Sequence, residues 1–250
     1  MLQVFAHRGH RTKYPENTRI AFQEAVELGV HGIELDVHLT RDEKGVVIHD
    51  ATIDRVSDGT GQVEAMSFAE IKDLDAGKWF GEEFTGQQFL SLEETFAIIP
   101  SSIQLNIHLK MTSDSWEKLV EYVVDQIIKH EVLQTAFLSC ERPALERAKQ
   151  IEPRIRGCYL GPQPRNSLKF IEESLSLGCR IIQLPHEQIH SDFVAQSHQK
   201  AVKVNALHLD TPTDHKQQTD KHRVYQHLTQ CDIDGVITDY SDFWLGMAER

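Results

Sequence analysis

Two carboxylates stand two residues apart in Glu34-Leu35-Asp36, inside the apolar stretch 32–37, which reads as a β-strand. Alternate strand residues face the same side, so both acids point together. Co-facial carboxylates repel each other unless a cation lies between them, which points to a divalent metal with oxygen ligands. Three further segments place polar side chains where strands end. They are His7-Arg8-Gly9, His49-Asp50 and Asn106-Ile107-His108-Leu109-Lys110, the last with Asn106, His108 and Lys110 on one face. Two histidines, two carboxylates, an arginine and a lysine suit attack on a phosphate ester. A metal neutralises the phosphoryl oxygens, the cations hold the anion, and two imidazoles move protons on and off the entering and leaving oxygens. Each segment alone has a plainer reading. Glu34 and Asp36 could form a solvated strand face, and Lys110 could be a snorkelling lysine. Pro15-Glu16-Asn17-Thr18 is by itself a turn and helix start, with Asn17 or Thr18 as N-cap. The convergence of all of them carries the argument.

The elements that must position these residues alternate. Strand candidates cover 3–6, 32–37, 103–109, 135–139, 155–160, 180–184, 202–207 and 235–238, with helix-like segments such as 18–28, 115–130, 143–150, 168–177 and 192–200 between them. In 115–130 the residues Trp116, Leu119, Val120, Val123, Val124, Ile127 and Ile128 fall at helical spacing and define one buried face. Eight strands alternating with helices predict a closed (β/α)8 TIM barrel, with an open doubly wound sheet as the rival. In a barrel, the carboxyl ends of the strands form the active site. An additional strand, 46–49, follows Asp42-Glu43-Lys44-Gly45, which is hairpin chemistry. Residues 51–90 break the rhythm and carry glycines together with Trp79, Phe80 and Phe84. They are expected to form an insertion over the active-site rim of a single domain spanning 1–250. A second polar loop is expected at 210–221.

The chain has 250 residues and a formal net charge of −12, with 14 histidines. One barrel of about 250 residues fits that length. The acidic balance argues against broad nucleic-acid binding or stable association with anionic membranes, both of which need basic surface. A small anionic substrate in a locally basic pocket remains compatible. Cys140, Cys158, Cys179 and Cys231 lack a C-x-x-C pair and read as reduced core residues. No signal peptide or apolar membrane span is visible, so a cytoplasmic location is expected.

The ordered motifs resemble the glycerophosphodiester phosphodiesterase family. The resemblance runs through His7-Arg8-Gly9, Pro15-Glu16-Asn17-Thr18, Glu34-Leu35-Asp36-Val37, Val47-Ile48-His49-Asp50 and Asp54-Arg55, and returns in Asp234-Gly235-Val236-Ile237-Thr238-Asp239. It implies a TIM barrel with a small insertion after the early strands, and hydrolysis of glycerophosphodiesters to glycerol 3-phosphate and an alcohol. By position it makes His7 and His49 the catalytic pair and Glu34 and Asp36 metal ligands. Arg8, Lys110 and Glu16 fall in the phosphate-binding set. The implied cofactor is a divalent metal ion, Mg²⁺ or Ca²⁺. One departure touches the metal. His108 stands where the family usually keeps a third carboxylate, and a softer, neutral imidazole tilts preference towards Mn²⁺, Co²⁺ or Zn²⁺. A second is Leu207-His208-Leu209-Asp210, where the family often has Trp-Thr-Val-Asn; it suggests an imidazole, His208, at the rim in place of an aromatic wall. A third is Ser139-Cys140, whose second residue is commonly Phe. Either the substrate's own 2-hydroxyl or a water serves as nucleophile. Two other readings stay open. One is a related barrel phospholipase acting on lipid phosphodiesters, with Trp79, Phe80 and Phe84 as an apolar rim. The other is a non-catalytic phosphodiester-binding barrel.

Overall fold

The computed structural model describes residues 2–112, 115–161, 164, 166–209 and 220–248. Period-two alternation sorts the strand side chains. In β1 (Gln3–His7), Val4 and Ala6 join the apolar layer beneath the helices, while Phe5 joins a separate cluster inside the barrel and His7 follows it on the same face. β2 (Gly32–Leu39) repeats the pattern, with Ile33, Leu35 and Val37 under the helices and Glu34 and Asp36 on the other face. The pattern continues through β4 (Gln104–Leu109), β5 (Ala136–Cys140), β6 (Gly157–Tyr159), β7 (Ile181–Pro185), β8 (Lys203–His208) and β9 (Gly235–Thr238). Each of these strands pairs in parallel with its neighbours, and β1 pairs with both β2 and β9. The sheet therefore closes into an eight-stranded barrel, which excludes the open doubly wound alternative. The remaining strand, β3 (Gly45–Val47), is antiparallel to β2 and forms the expected hairpin.

Between the strands run α1 (Arg19–Glu27), α2 (Phe68–Lys72), α3 (Leu92–Ile98), α4 (Trp116–Lys129), α5 (Arg142–Ile151), α6 (Leu168–Ser176), α7 (Ser191–Gln199), α8 (Lys221–Gln230) and α9 (Ser241–Ala248). Helix α4 buries Leu119, Val120, Val123, Val124 and Ile127, each contributing roughly 1.5–3 kcal/mol. Ile128 departs from its expected place on that face and is 44% exposed, because one further residue turns about 100° away from the stripe. Among the described residues, no helix is long and apolar enough to cross a membrane. All four cysteines are buried and stand outside any disulfide.

The interior of the barrel is plugged by Phe5, Phe137, Cys158, Ile181 and Ile237. Gly32 is required there, since a Cβ at that position would lie 2.3 Å from the Phe5 ring. Residues 51–90 build a second, smaller apolar cluster. Ile53, Val56, Val63, Ile71 and Phe89 pack beneath Val46 and Ile48 of the hairpin. Two capping boxes, Ser67 with Glu70 and Ser91 with Glu94, start α2 and α3. The polar loop expected at 210–221 lies almost wholly outside the described residues.

Candidate active site

Register assembles the site. His7 pairs with Glu34 across β1 and β2, Glu34 with Asn106 and Asp36 with His108 across β2 and β4. Neighbouring strands lie about 4.8 Å apart, so these side chains meet at the carboxyl end of the barrel. One atom each from Glu34, Asp36 and His108 lies within 4.8 Å of the others, as a shared ion would require. Nδ1 of His108 is 3.3 Å from Oδ1 of Asp36 and 3.9 Å from Oε1 of Glu34. Lys110 places Nζ 2.8 Å from the same Asp36 oxygen.

The carboxylate pair is electrostatically split. Burial and the neighbouring Asp36 charge push the Glu34 carboxyl well above its usual range. Asp36 is equally buried, yet His108, Lys110 and Arg8 outweigh that burial and hold it well below its usual range. Two carboxylates this close share one proton unless a stronger positive charge replaces it. Oε2 of Glu34 is buried and accepts no hydrogen bond, while Oδ1 of Asp36 faces the nitrogens of Lys110 and His108. A buried carboxylate pair converging on an imidazole, with one carboxylate oxygen unsatisfied, fits a divalent cation.

Each of the two histidines is oriented by its own carboxylate. His7 donates from Nδ1 to Oδ1 of Asp239 at 2.7 Å, and His49 donates from Nδ1 to Oδ1 of Asp50 at 2.7 Å. An ionised carboxylate only accepts, so both imidazoles carry their proton on Nδ1 and leave Nε2 free. Burial lowers the pKa of both, and Asp239 and Asp50 act against that trend. His7 is 5% exposed, and its Nε2 lies 3.8 Å from Glu34.

Arg8 reaches the site through a left-handed backbone, φ +58°, which costs a residue with a Cβ about 1 kcal/mol. Its amide donates to the Glu34 carbonyl, and its carbonyl accepts from Asn17, fixing the turn. Gly9 follows at φ +82°, where a Cβ would fall 2.8 Å from the Ala21 backbone of α1. Thr18 is the N-cap of α1. Asn17 instead takes φ +56° and donates from its amide to Asp36 at 3.4 Å.

Glu16 does not open onto the cavity. It sits behind Arg8 and accepts from it at 2.9 Å. Arg55 also donates to it, at 2.8 and 3.1 Å, and Arg11 lies 3.4 Å away. Burial would raise the Glu16 carboxyl, but these guanidinium groups bring it down to about 2. Arg55 belongs to the insertion and also donates from Nε to Asp50 at 2.6 Å. It therefore ties the carboxylate behind His49 to the carboxylate behind Arg8. The Trp79 ring packs against this guanidinium at 5.9 Å.

Arg11, Arg55 and Asp239 were given no role from sequence. Asp239 and Arg55 lie in the matching motifs but carry no pattern that predicts a partner 232 or 39 residues away. The layer below the metal-type cluster was also missed, where Ser139 donates to Asn106 at 2.5 Å and Asn106 to Gln183 at 3.0 Å. Buried His38 donates from Nε2 to the His49 carbonyl at 3.1 Å.

A cavity of about 430 Å³ opens over these groups, reached by His7, Arg8, Glu34, Asp36, His49 and Lys110 on one side. Leu160, Leu207, Leu209 and Ile237 line the other. The expected rim position of His208 is corrected. His208 is 1% exposed, accepts from Trp244 Nε1 at 3.0 Å and packs against Tyr240 and His186. On β8 its neighbour Leu207 takes the cavity-facing parity, so alternation sends the imidazole outward.

Known proteins resemble this chain along nearly its whole length. A model of the glycerophosphoryl diester phosphodiesterase family matches residues 7–243. A glycerophosphodiester phosphodiesterase of Bacillus altitudinis is 31% identical over 97% of this chain and 96% of its own length. One from Caldanaerobacter subterraneus is 39% identical, over 61% of this chain and 64% of that protein. A phosphodiesterase of Oleispira antarctica, solved in complex with the product sn-glycerol-3-phosphate, superposes with a TM-score of 0.86 at 26% identity. That match covers 99% of this chain and 97% of the other. This chain belongs to the glycerophosphoryl diester phosphodiesterase family.

Proposed function

We propose that this protein hydrolyses glycerophosphodiesters to glycerol 3-phosphate and an alcohol, with His7 and His49 as the proton-transfer pair. The observation that carries the reading is the pair of imidazoles, each held by a carboxylate at 2.7 Å, beside the Glu34–Asp36–His108 cluster. A carboxylate-oriented imidazole keeps one tautomer and aims one nitrogen, as general acid–base transfer requires. One histidine takes the proton of the nucleophile, a water or the substrate's own 2-hydroxyl, and the other donates to the departing alkoxide; where the 2-hydroxyl attacks, water then opens the cyclic phosphate with the two histidines in exchanged roles. Arg8 and Lys110 hold the phosphoryl oxygens as the charge on them grows. Glu16 serves the phosphate through Arg8, whose guanidinium it fixes. Glu34, Asp36 and His108 would hold a divalent metal, which when bound supplies Lewis-acid charge to a phosphoryl oxygen. Because His108 contributes an imidazole, Mn²⁺, Co²⁺ or Zn²⁺ suits the set better than it would three carboxylates.

The chain is read as one catalytic unit, with 51–90 contributing Arg55 to the rim. Retention of both histidines and of the Arg8–Lys110 pair favours catalysis over a binding-only barrel. Turnover of glycerophosphocholine and glycerophosphoethanolamine by wild type, His7→Ala and His49→Ala tests the assignment. Wild-type rates in both variants would remove it. Full activity after chelation, with no bound metal by elemental analysis, would remove the metal while leaving the histidines in place.

A further inference from the structure

A second cavity, of about 380 Å³, lies at the opposite end of the barrel. It is built from the segments that lead into β6, β7 and β8, at the amino ends of these strands, whereas the catalytic cavity opens at the carboxyl ends. Five basic residues line it: Lys149, Arg154, Arg156, Arg180 and Lys203. That concentration stands in a chain of net charge −12. Arg154 is paired with Glu152. Among the described residues, the other four have no carboxylate within 4.0 Å. Instead, three of them are anchored by backbone carbonyls. Lys149 donates to Ile155 at 2.9 Å, Arg156 to Gln134 at 2.8 Å and Arg180 to Lys200 at 2.8 Å. Such bonds hold the cations in place without neutralising them.

Arg156 is the most informative of the four. Its guanidinium is half-buried and lies 5.8 Å from the Phe137 ring, which plugs the barrel from within. Burial lowers its pKa, and no anion acts against that effect. A half-buried guanidinium without a counter-ion is costly, and like charges around it add to the cost. Bound phosphate oxygens would relieve both penalties through charge-assisted, bidentate bonds. Gly157, Gly178 and Ala201 keep the walls low, and Ile155 and Ile181 supply an apolar floor. The volume falls in the range of small-ligand sites. The chain's overall negative charge repels an extended polyanion but not a compact one.

We infer that this basal cavity binds a small ligand carrying two or more phosphate charges, independently of the catalytic site. The probe is inorganic pyrophosphate, titrated calorimetrically into metal-free protein at low ionic strength. Wild type, Arg180→Gln/Lys203→Gln, Arg156→Gln and Arg8→Gln are compared. Arg180 and Lys203 are exposed, so the double variant should fold and turn over a glycerophosphodiester as wild type does. Its pyrophosphate affinity should fall about tenfold or more, as expected for two lost charge-assisted contacts. Arg156→Gln should weaken binding in the same direction, and Arg8→Gln should leave the basal binding in place. Wild-type affinity in the double variant, or loss of all binding in Arg8→Gln alone, overturns the inference. So does tighter binding of duplex DNA or phosphatidylglycerol vesicles that vanishes in the double variant, because the face would then serve a macromolecular polyanion.

Discussion

The mouth of the barrel has two unlike walls. The wall from β1, β2, β4 and the hairpin carries His7, Arg8, Glu34, Asp36, His49, His108 and Lys110. The wall from β6, β8 and β9 presents Leu160, Leu207, Leu209 and Ile237. One wall is a network in which every charge is set by another, and the other has no hydrogen-bonding side chain at those four positions. Chemistry needs fixed charges and is sensitive to one atom. An aliphatic surface selects by shape and tolerates exchange. The two walls should therefore respond to mutation in different quantities, kcat on one side and KM on the other.

The sharpest division is predicted for the histidines. His7→Ala or His49→Ala should each lower kcat by about 10² to 10⁴-fold, the usual contribution of a positioned acid or base. Leu160→Ala should leave kcat within a few-fold. Steady-state kinetics on one small diester decides this, and equal losses on both walls would dissolve the distinction. Both imidazole pKa values are lowered by burial, so the acid limb of kcat/KM should fall below pH 6.5. Asp239 raises the His7 pKa against that burial. Asp239→Asn should therefore move whichever limb His7 controls to lower pH.

Glu16 tests whether the charged wall is held from behind. Its folded pKa of about 2 lies below the ordinary 4.5. The resulting stabilisation, on the order of 3 kcal/mol, is present above pH 4.5 and is lost as pH falls from there towards 2. Glu16→Gln leaves Arg8, Arg11 and Arg55 without their shared counter-charge. The melting temperature at pH 7 should drop by roughly 6–10 °C for a chain of this size. An unchanged melting temperature would mean that the three guanidinium groups relax into solvent. His108→Glu probes the front of the same wall and should have a smaller effect. It adds a third carboxylate beside Glu34 and Asp36, so metal-free protein should lose stability. Mg²⁺ affinity should rise by about ten- to a hundredfold, a range typical of changes around a metal site. Calorimetric titration with Mg²⁺ and Mn²⁺ measures both affinities, and parallel gains for the two ions would contradict the preference assigned to the imidazole.

The charged wall was largely legible in the sequence and the aliphatic wall was not. Glu34 and Asp36 share a strand face by simple alternation, and His7, Arg8, His49 and Lys110 stand at strand ends within short motifs. The eight strands were likewise legible as apolar runs, with ends misplaced by a residue or two, as at β6. Long-range partners escaped because nothing local encodes them. Asp239 finds His7 only when β9 closes against β1, and Arg55 finds Glu16 only when the insertion folds back. Glu16 was placed in the phosphate set because the motif carries no depth information. The geometry sets it behind the arginine instead. His208 failed for a different reason. Its segment was read by resemblance, without counting the parity of β8.

That parity supplies the smallest and most selective prediction. Leu207 and His208 are adjacent on β8, yet one lines the cavity and the other is buried against Tyr240 and Trp244. Leu207→Ala should change KM for glycerophosphodiesters with bulkier alcohols by a few-fold, with kcat and stability little altered. His208→Gln should leave both kinetic constants near wild type and act on the fold. Burial brings the His208 pKa down to about 4, with nearby His186 adding to the effect. An imidazole buried in its neutral form stabilises the fold fully above pH 6.5. That contribution is lost as pH falls from 6.5 through 4, because the unfolded chain binds the proton first. Wild-type stability measured by denaturant titration should therefore decline over that window, and His208→Gln should flatten part of the slope. If His208→Gln instead shifted KM and left the slope unchanged, the imidazole would belong to the substrate wall, and the division between adjacent residues would fail at the point where it is finest.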